Sequence, residues 1–395
     1  MIRRGREDKE KFLYEIVVLG GSTREESDRL KSLIGELIEP YGLILGCDVQ
    51  FSDGEFDAGG PPVARAAVYF GADPNPSLEI VQQLLDANVP VLPFVRGGET
   101  VGKVLPPALQ KYNALFGSSE DDGFLRLANV ILECLGLLRE QRRVFVSYRR
   151  VEARAAALQL HDELGAHGFD VFLDTHSIRE GEPFQDVLWH RLCDSDVLLM
   201  LDTPEYFGSK WTREELGRAL AKDIHVLRLV WPEYKPHPQT DLAQSIYLSS
   251  GDLHAPDGPI LDSKLAEVCV GVERLRSRSI AARYLSITGK FRSEMTRIRA
   301  QINGIGPHRV IYVTLPSGKV LWVYPVVGFP TAQTLNDISE KALASGGVTA
   351  VLLYDDVGIY ERWARHLDWL DKYIIDIEII KVAQAAWLMT GLDVA

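Results

Sequence analysis

The chain has 395 residues, enough for two to four domains at ~100–200 residues each. Hydrophobic residues make up 46% and charged residues 25%, so ordinary globular cores can be filled, and no apolar run reaches the ~18 residues that a bilayer-crossing helix needs. A net charge of −12 makes the chain a poor general binder of nucleic acid.

The start, Met1-Ile-Arg-Arg-Gly-Arg-Glu-Asp-Lys-Glu10, has no apolar core of the kind a signal peptide carries, and the expected compartment is the cytoplasm. Cys47, Cys134, Cys193 and Cys269 are widely spaced with no CxxC pair, so neither a zinc site nor a disulfide frame is expected.

Leu13–Gly20 reads as a buried strand, followed by a helix with Leu30, Leu33, Ile34 and Leu37 at helical spacing. Leu43–Val49, Ala66–Phe70 and Val89–Val95 read as further strands, Leu78–Leu85 as a helix, and Leu125–Leu138 as an apolar closing helix. Strands alternating with helices imply a parallel sheet wrapped by helices. The same order then repeats: strand Val144–Ser147, helix Ala153–Leu164, strands Asp170–Leu173 and Val197–Leu201, helix Trp211–Lys222, strand Ile224–Val230. Val89-Pro-Val-Leu-Pro-Phe-Val95 has its counterpart in Ile224-His-Val-Leu-Arg-Leu-Val230, and Phe70-Gly71 in Phe207-Gly208. Two successive domains of related flavodoxin-like topology are expected.

A proline-rich loop, Pro236–Pro259, leads to a long helical stretch, Asp262–Ile302, with Gly289 as its candidate break. From Gly271 to Arg309 the chain carries Arg274, Arg276, Arg278, Arg283, Lys290, Arg292, Arg297, Arg299 and Arg309 against only Glu273 and Glu294. Such a segment is either a solvated helix face or a surface for an acidic neighbour or anionic partner. The final unit reads as a hairpin, Arg309–Leu315 and Val320–Val326 around Pro-Ser-Gly-Lys, then helix Thr331–Ala344, strand Val348–Tyr354, helix Ile359–Tyr373 and strand Ile374–Ala383. It is an α+β unit without a catalytic motif. Asp355-Asp356 after a strand is either a site or a capping turn.

Three blocks in the middle unit carry the chemistry: Arg143-Val-Phe-Val-Ser-Tyr-Arg-Arg150, Val171-Phe-Leu-Asp-Thr-His-Ser-Ile-Arg-Glu-Gly181, and Ser209-Lys-Trp-Thr-Arg-Glu-Glu-Leu216. In order and spacing they resemble a Toll/interleukin-1 receptor (TIR) domain of the NAD-cleaving branch, close to bacterial antiphage-defence TIR proteins. The resemblance covers about a third of the chain, and it implies a catalytic glutamate four residues after a tryptophan, here Glu215 after Trp211. On a helical wheel Leu216, Ala219 and Leu220 mark the core face, Glu215 sits at its edge in the first turn, and Glu214 points to water.

Cleaving the bond between ribose C1′ and the nicotinamide nitrogen passes through an oxocarbenium-like state that a carboxylate stabilises. The resemblance further assigns Tyr148 and Arg149 to the nucleotide site, beyond the carboxyl end of the first strand, where the guanidinium fork suits a pyrophosphate. Arg150 either shares that site or caps a helix. Asp174 ends the next strand, and Ser209 is a second polar group near the acid. Trp211 either stacks a ring of the substrate or packs in the core. The loop Thr175–Pro183, with Thr175, Ser177, Arg179 and Gly181, is the segment through which the family packs one TIR domain on another; Arg179 stands where some close NADases have an acid.

The first unit lacks these blocks, having Val17-Val-Leu-Gly-Gly-Ser22 without Tyr-Arg-Arg, and Asp73-Pro-Asn-Pro-Ser-Leu-Glu79 without a tryptophan. It resembles either a degenerate TIR or a nucleotide-sensing Rossmann-like domain, in which Gly20-Gly21-Ser22 would receive a phosphate, although the full dinucleotide fingerprint is absent. His161, His167, His176 and His190 lack helical metal spacing, and there is no nucleophile elbow or phosphate-binding loop.

The expected organisation is an α/β regulatory or degenerate TIR-like domain at 1–138, a flavodoxin-like TIR domain at 141–277, a basic helical linker at 278–305 and an α+β domain at 306–395. The expected function is NAD+ cleavage to nicotinamide and ADP-ribose or a cyclic isomer, with NAD+ as substrate and no cofactor or metal. Self-association through TIR domains, triggered by a ligand or protein, would switch it on; no membrane is expected as a partner. The alternatives are a non-enzymatic adaptor signalling by TIR–TIR contact and a TIR that makes a cyclic ADP-ribose messenger.

Overall fold

Buried apolar runs set the strands of the first sheet. In the computed structural model, which describes residues 12–54, 56, 63–73, 76–118, 123–173, 184–208, 210–235, 243–343 and 348–394, β1 (Tyr14–Gly20) is buried along nearly its whole length. That is the mark of a parallel strand covered on both faces. Helix α1 (Arg24–Ile38) begins at a capping box, with the Glu26 amide donating to Thr23 Oγ1 and the Thr23 amide to Glu26 Oε2. β2 (Val49–Asp53), β3 (Ala64–Phe70), α2 (Leu78–Asp86), β4 (Val91–Arg96), the short α3 (Val101–Val104), β5 (Leu115–Gly117) and α4 (Gly123–Cys134) complete the domain. The sheet order is β2-β1-β3-β4-β5, all parallel.

The sequence places the second strand at Leu43–Val49, but it runs over Val49–Asp53. Gly42 and Gly46 both take positive φ, and this folds residues 43–48 into turns. The amides of Cys47 and Asp48 donate to the Ile44 carbonyl instead of to a neighbouring strand.

The middle domain repeats the plan. It comprises β6 (Arg143–Ser147), α5 (Arg150–Ala166), β7 (Asp170–Leu173), α6 (Phe184–Cys193), β8 (Val197–Asp202), α7 (Lys210–Ala221), β9 (His225–Val230), β10 (Gln244–Tyr247) and α8 (Asp262–Arg297). Its order is β10-β9-β8-β6-β7, again all parallel. Read from its other edge, this sheet matches the first: the domain's second strand is outermost, then its first, third, fourth and fifth, which is the flavodoxin-like arrangement.

Helix α8 runs unbroken through Gly289, so the segment after residue 277 is no separate linker but the continuation of the last helix of this domain. The basic residues on it are not a uniformly solvated face. Arg276 is fully buried and pairs with the equally buried Asp196 at 3.0 Å. Arg283 is buried and donates to the carbonyls of Cys193 and Ser195, each at 2.7 Å. Glu273 on the same helix is buried against Arg142.

β11 (Gln301–Ile305), β12 (Ile311–Thr314), β13 (Val320–Val326), α9 (Ala332–Leu343), β14 (Thr349–Tyr354), α10 (Glu361–Tyr373), β15 (Ile377–Lys381) and α11 (Ala385–Val394) form the last domain, which therefore starts at residue 301, not 306. Its five strands lie in chain order; β11–β13 are antiparallel and β13–β15 parallel. The β12–β13 hairpin turns at Gly318, whose φ of 93° needs glycine.

The chain divides into two compact units, Met1–Glu140 with Gly306–Arg309, and Gln141–Ile305 with Val310–Ala395. Within the second unit the last domain docks on α6 and α8. The Phe329 amide donates to Asp194 Oδ1 at 2.9 Å, and the Tyr360 amide to His190 Nδ1 at 3.2 Å. Asp355 pairs with Lys222 at 3.3 Å and Lys290 at 3.1 Å. A Cβ at Gly358, which has φ 86°, would collide with Cys193 Sγ. Among the described residues no helix is long and apolar enough to cross a membrane.

Candidate active site

Alternation along β6 decides which residues reach the site. Val144, Val146 and Tyr148 turn to the α5/α8 side and join a core with Ala153, Ala157, Leu160 and Val268. Phe145 turns to the α6/α7 side with Phe172, Met200, Tyr206 and Leu216. Ser147 has the parity of Phe145, so it projects toward α7 from the carboxyl end of the strand.

There Ser147 Oγ donates to Glu215 Oε2 at 2.5 Å and lies 2.6 Å from Tyr206 Oη. With the serine proton committed to the carboxylate, Tyr206 donates in turn to Ser147. The result is a chain from Tyr206 through Ser147 to Glu215, in which all three side chains are buried and Glu215 is 4% exposed. Thr212 Oγ1 donates to the Tyr206 carbonyl at 2.5 Å and fixes the turn that carries the tyrosine. Burial first, and then the nearby Glu215 charge, push the Tyr206 hydroxyl well above its ordinary range, so it stays protonated as a donor. Asp202, at the end of β8, is also fully buried, with Arg228 Nη1 3.9 Å away.

Helix α7 begins at Lys210, so Glu215 lies in its second turn, one turn later than the sequence suggests. Glu215, Leu216 and Ala219 are buried, but Glu214, expected to point to water, is half-buried, and Leu220, expected on the core face, is 54% exposed because it lies at the end of the helix beyond the last buried turn.

Arg149 caps the start of α5 and is 30% exposed by its side chain. Its Nη1 donates to the Glu205 carbonyl at 2.5 Å and approaches Glu205 Oε2 at 3.2 Å. A side chain at Gly208 would meet that guanidinium at 2.7 Å, so Gly208 keeps room for it. Glu152 accepts from Thr203 Oγ1 at 2.7 Å on the same turn. Arg149 and Glu152 thus frame the segment between β8 and α7 that carries Tyr206.

The structure brings Glu215 and Arg149 to the same end of the sheet, but not Tyr148, which is 5% exposed in the opposite core. Arg150 is exposed at the first position of α5. Asp174, Thr175, Ser177, Arg179, Gly181 and Ser209 lie outside the described residues, as does the side chain of Trp211. Ser147 and Tyr206 were missed by the sequence reading. The parity of Ser147 with Phe145 was the available signal for the first; Tyr206 sits in a turn with no periodicity to mark it.

Glu163 of α5, His167 at the cap just after it and Cys269 of α8 have their potential ligand atoms within 4.8 Å of one another. Spacing between histidines alone overlooks this group, because its third member comes from another helix. It belongs to the α5/α8 side, and Cys269 is part of the core there.

Residues 144–257 match the family model of the TIR domain, and the middle domain is a TIR domain. No curated protein matches the chain. Among solved structures the chain is similar to the C-terminal domain of glucosamine-fructose-6-phosphate aminotransferase from Francisella tularensis, at 9% identity and a TM-score of 0.21, covering 69% of this chain and 85% of that one. A score so low carries no argument about fold or function.

Proposed function

We propose that the TIR domain is an NAD+ nucleosidase that releases nicotinamide and leaves ADP-ribose or its cyclic isomer. The observation that carries this reading is Glu215, a buried carboxylate at the carboxyl end of a parallel sheet, held in one orientation by Ser147. In open sheets of this order ligands sit beyond that end.

Nicotinamide is cationic in NAD+ and leaves as a neutral molecule, so the step needs little acid. Positive charge develops on the ribose, and a fixed carboxylate beneath it stabilises the transition state more than the ground state. The hydroxyl chain serves positioning: Ser147 prevents Glu215 from rotating away, and Tyr206 holds Ser147. Preorganisation of this kind is worth several kcal/mol in a water-poor site. Arg149, at the rim, supplies a guanidinium for the pyrophosphate.

TIR domains generally self-associate, and we take association to be the switch, with a ligand or protein as its trigger. The setting we propose, from the motif resemblance alone, is prokaryotic antiphage immunity.

The test is direct. Purified protein is incubated with NAD+ at rising protein concentration, and the products are resolved chromatographically for the wild type and Glu215→Gln. Nicotinamide release by the wild type and its loss in a folded Glu215→Gln variant support the reading. Equal release by both would sink it.

A further inference from the structure

The N-terminal domain carries a cleft of its own. It lies over the carboxyl end of β1, has a volume of about 510 Å³, and is lined by Gly20, Ser22, Ser27, Lys31, Asp53 and Ser77 among others. In the order β2-β1-β3 this is where the chain direction reverses across the sheet, the place at which open parallel sheets take ligands. We propose that it binds a ribonucleoside phosphate, with the phosphate on the amino end of α1 and the ribose diol on Asp53.

Four features converge. First, the amides of Arg24 and Glu25, in the first turn of α1, meet no acceptor among the described residues, because the capping box serves only Thr23 and Glu26. A phosphate there would take both amides and the positive end of the helix. Second, Ser27 is 9% exposed and lines the cleft, yet its hydroxyl meets no partner among the described residues. Its oxygen is therefore left to a ligand or to solvent in the cleft.

Third, the cleft sets the cations Arg24 and Lys31 against Asp28 and Asp53, with Asp28 3.8 Å from the Arg24 guanidinium, and the capping acid Glu26 is itself paired. Glu26 takes two bonds from Arg96, each 2.7 Å, while Lys31 on the same helix remains a cation of the cleft. Fourth, Asp53 ends β2 in register with Val18 of β1, two residues before Gly20, and its side chain is exposed. An acid at the tip of the strand beside β1 is placed to accept from the two hydroxyls of a ribose whose phosphate sits on α1. Gly20 and Gly21 let the turn after β1 pass close against the end of β3. Gly20 has φ 81°, and a Cβ on either would strike Phe70 or Ala72.

Calorimetric titration of the full chain with ADP, 2′-deoxy-ADP, adenosine and inorganic phosphate tests this. The expected result is saturable ADP binding, at least roughly tenfold weaker for 2′-deoxy-ADP and for adenosine, with phosphate alone weaker still. Asp53→Asn, at an exposed position that leaves the core intact, should weaken ADP about tenfold, and Ser27→Val by a similar factor with unchanged circular dichroism. Absence of saturable ADP binding overturns the proposal. So does equal affinity for 2′-deoxy-ADP, or phosphate binding as tightly as ADP. ADP affinity lost in Glu215→Gln and kept in Asp53→Asn assigns the heat to the middle domain and equally overturns it.

Discussion

Ser147 and Tyr148 are adjacent in the chain and belong to opposite faces of the middle sheet: Ser147 bonds Glu215 on the α7 side, and Tyr148 is packed with Ala153 and Val268 on the α5/α8 side. One peptide unit therefore separates a positioning contact from a core contact. Replacing each residue should produce different symptoms.

Tyr148→Phe keeps the ring in its core and removes only a hydroxyl. We expect nicotinamide release within about threefold of wild type and stability changed by less than ~1.5 kcal/mol in urea denaturation. Tyr148→Ala should instead lose about 3–5 kcal/mol, as large-to-small core changes do. Activity lost in Tyr148→Phe at full stability would return the tyrosine to the nucleotide site.

Ser147→Ala removes the donor to Glu215 and leaves Tyr206 Oη without its acceptor. Burying those partners unsatisfied costs about 1–3 kcal/mol. If the domain cleaves NAD+ as proposed, turnover should fall ten- to a hundredfold through kcat, with KM nearly unchanged, because the Ser147 hydroxyl bonds the acid. Ser147→Thr, which keeps the hydroxyl, should recover most of the rate. A loss confined to KM would mean that Ser147 contacts substrate instead.

Much of this arrangement could be read before the fold was known. The two parallel sheets follow from buried runs such as Tyr14–Gly20 and Val197–Asp202, and the place of Glu215 on α7 follows from the periodicity of Leu216 and Ala219. What escaped is physically specific. α6, with its sequence Phe-Gln-Asp-Val-Leu-Trp-His-Arg-Leu-Cys, mixes polar and apolar residues on every face because the last domain also covers it. The basic run of α8 reads as a solvated face until Asp196 and the carbonyls of Cys193 and Ser195 are seen to bury its arginines. Sequence spacing has no access to partners supplied by distant strands and turns.

The Arg276–Asp196 pair offers a measure of that hidden packing. Both side chains are fully buried, so truncating one leaves the other charged in a low-dielectric core. Arg276→Met should destabilise the domain by about 3–5 kcal/mol, and Arg276→Met with Asp196→Asn by clearly less than the sum of the two single changes. Chemical denaturation of the four proteins closes the cycle, and additive effects would show that the pair is not coupled.

His190 makes the docking of the last domain sensitive to acid. Its ring stacks on Phe329 at a centroid distance of 4.6 Å, and its Nδ1 accepts from the Tyr360 amide, which requires the neutral ring. Burial first, and then the charges of Arg191 and Arg143, push its pKa from 6.5 down to about 4. Lys222 and Asp355 form their ion pair at the same junction, and Asp355 is held below its ordinary value despite its burial, chiefly by Lys222. Between pH 6.5 and 4 the unfolded or undocked chain binds a proton at His190 that the docked form refuses. Stability therefore falls as pH drops through that window, by up to about 1.4 kcal/mol for each unit, and is fully present above it. His190→Asn retains an acceptor near the Nδ1 position without the titration. Between pH 6.5 and 5, where most carboxylates remain ionised, the melting temperature of the wild type should decline more steeply than that of His190→Asn. Parallel curves would mean that His190 does not control the junction.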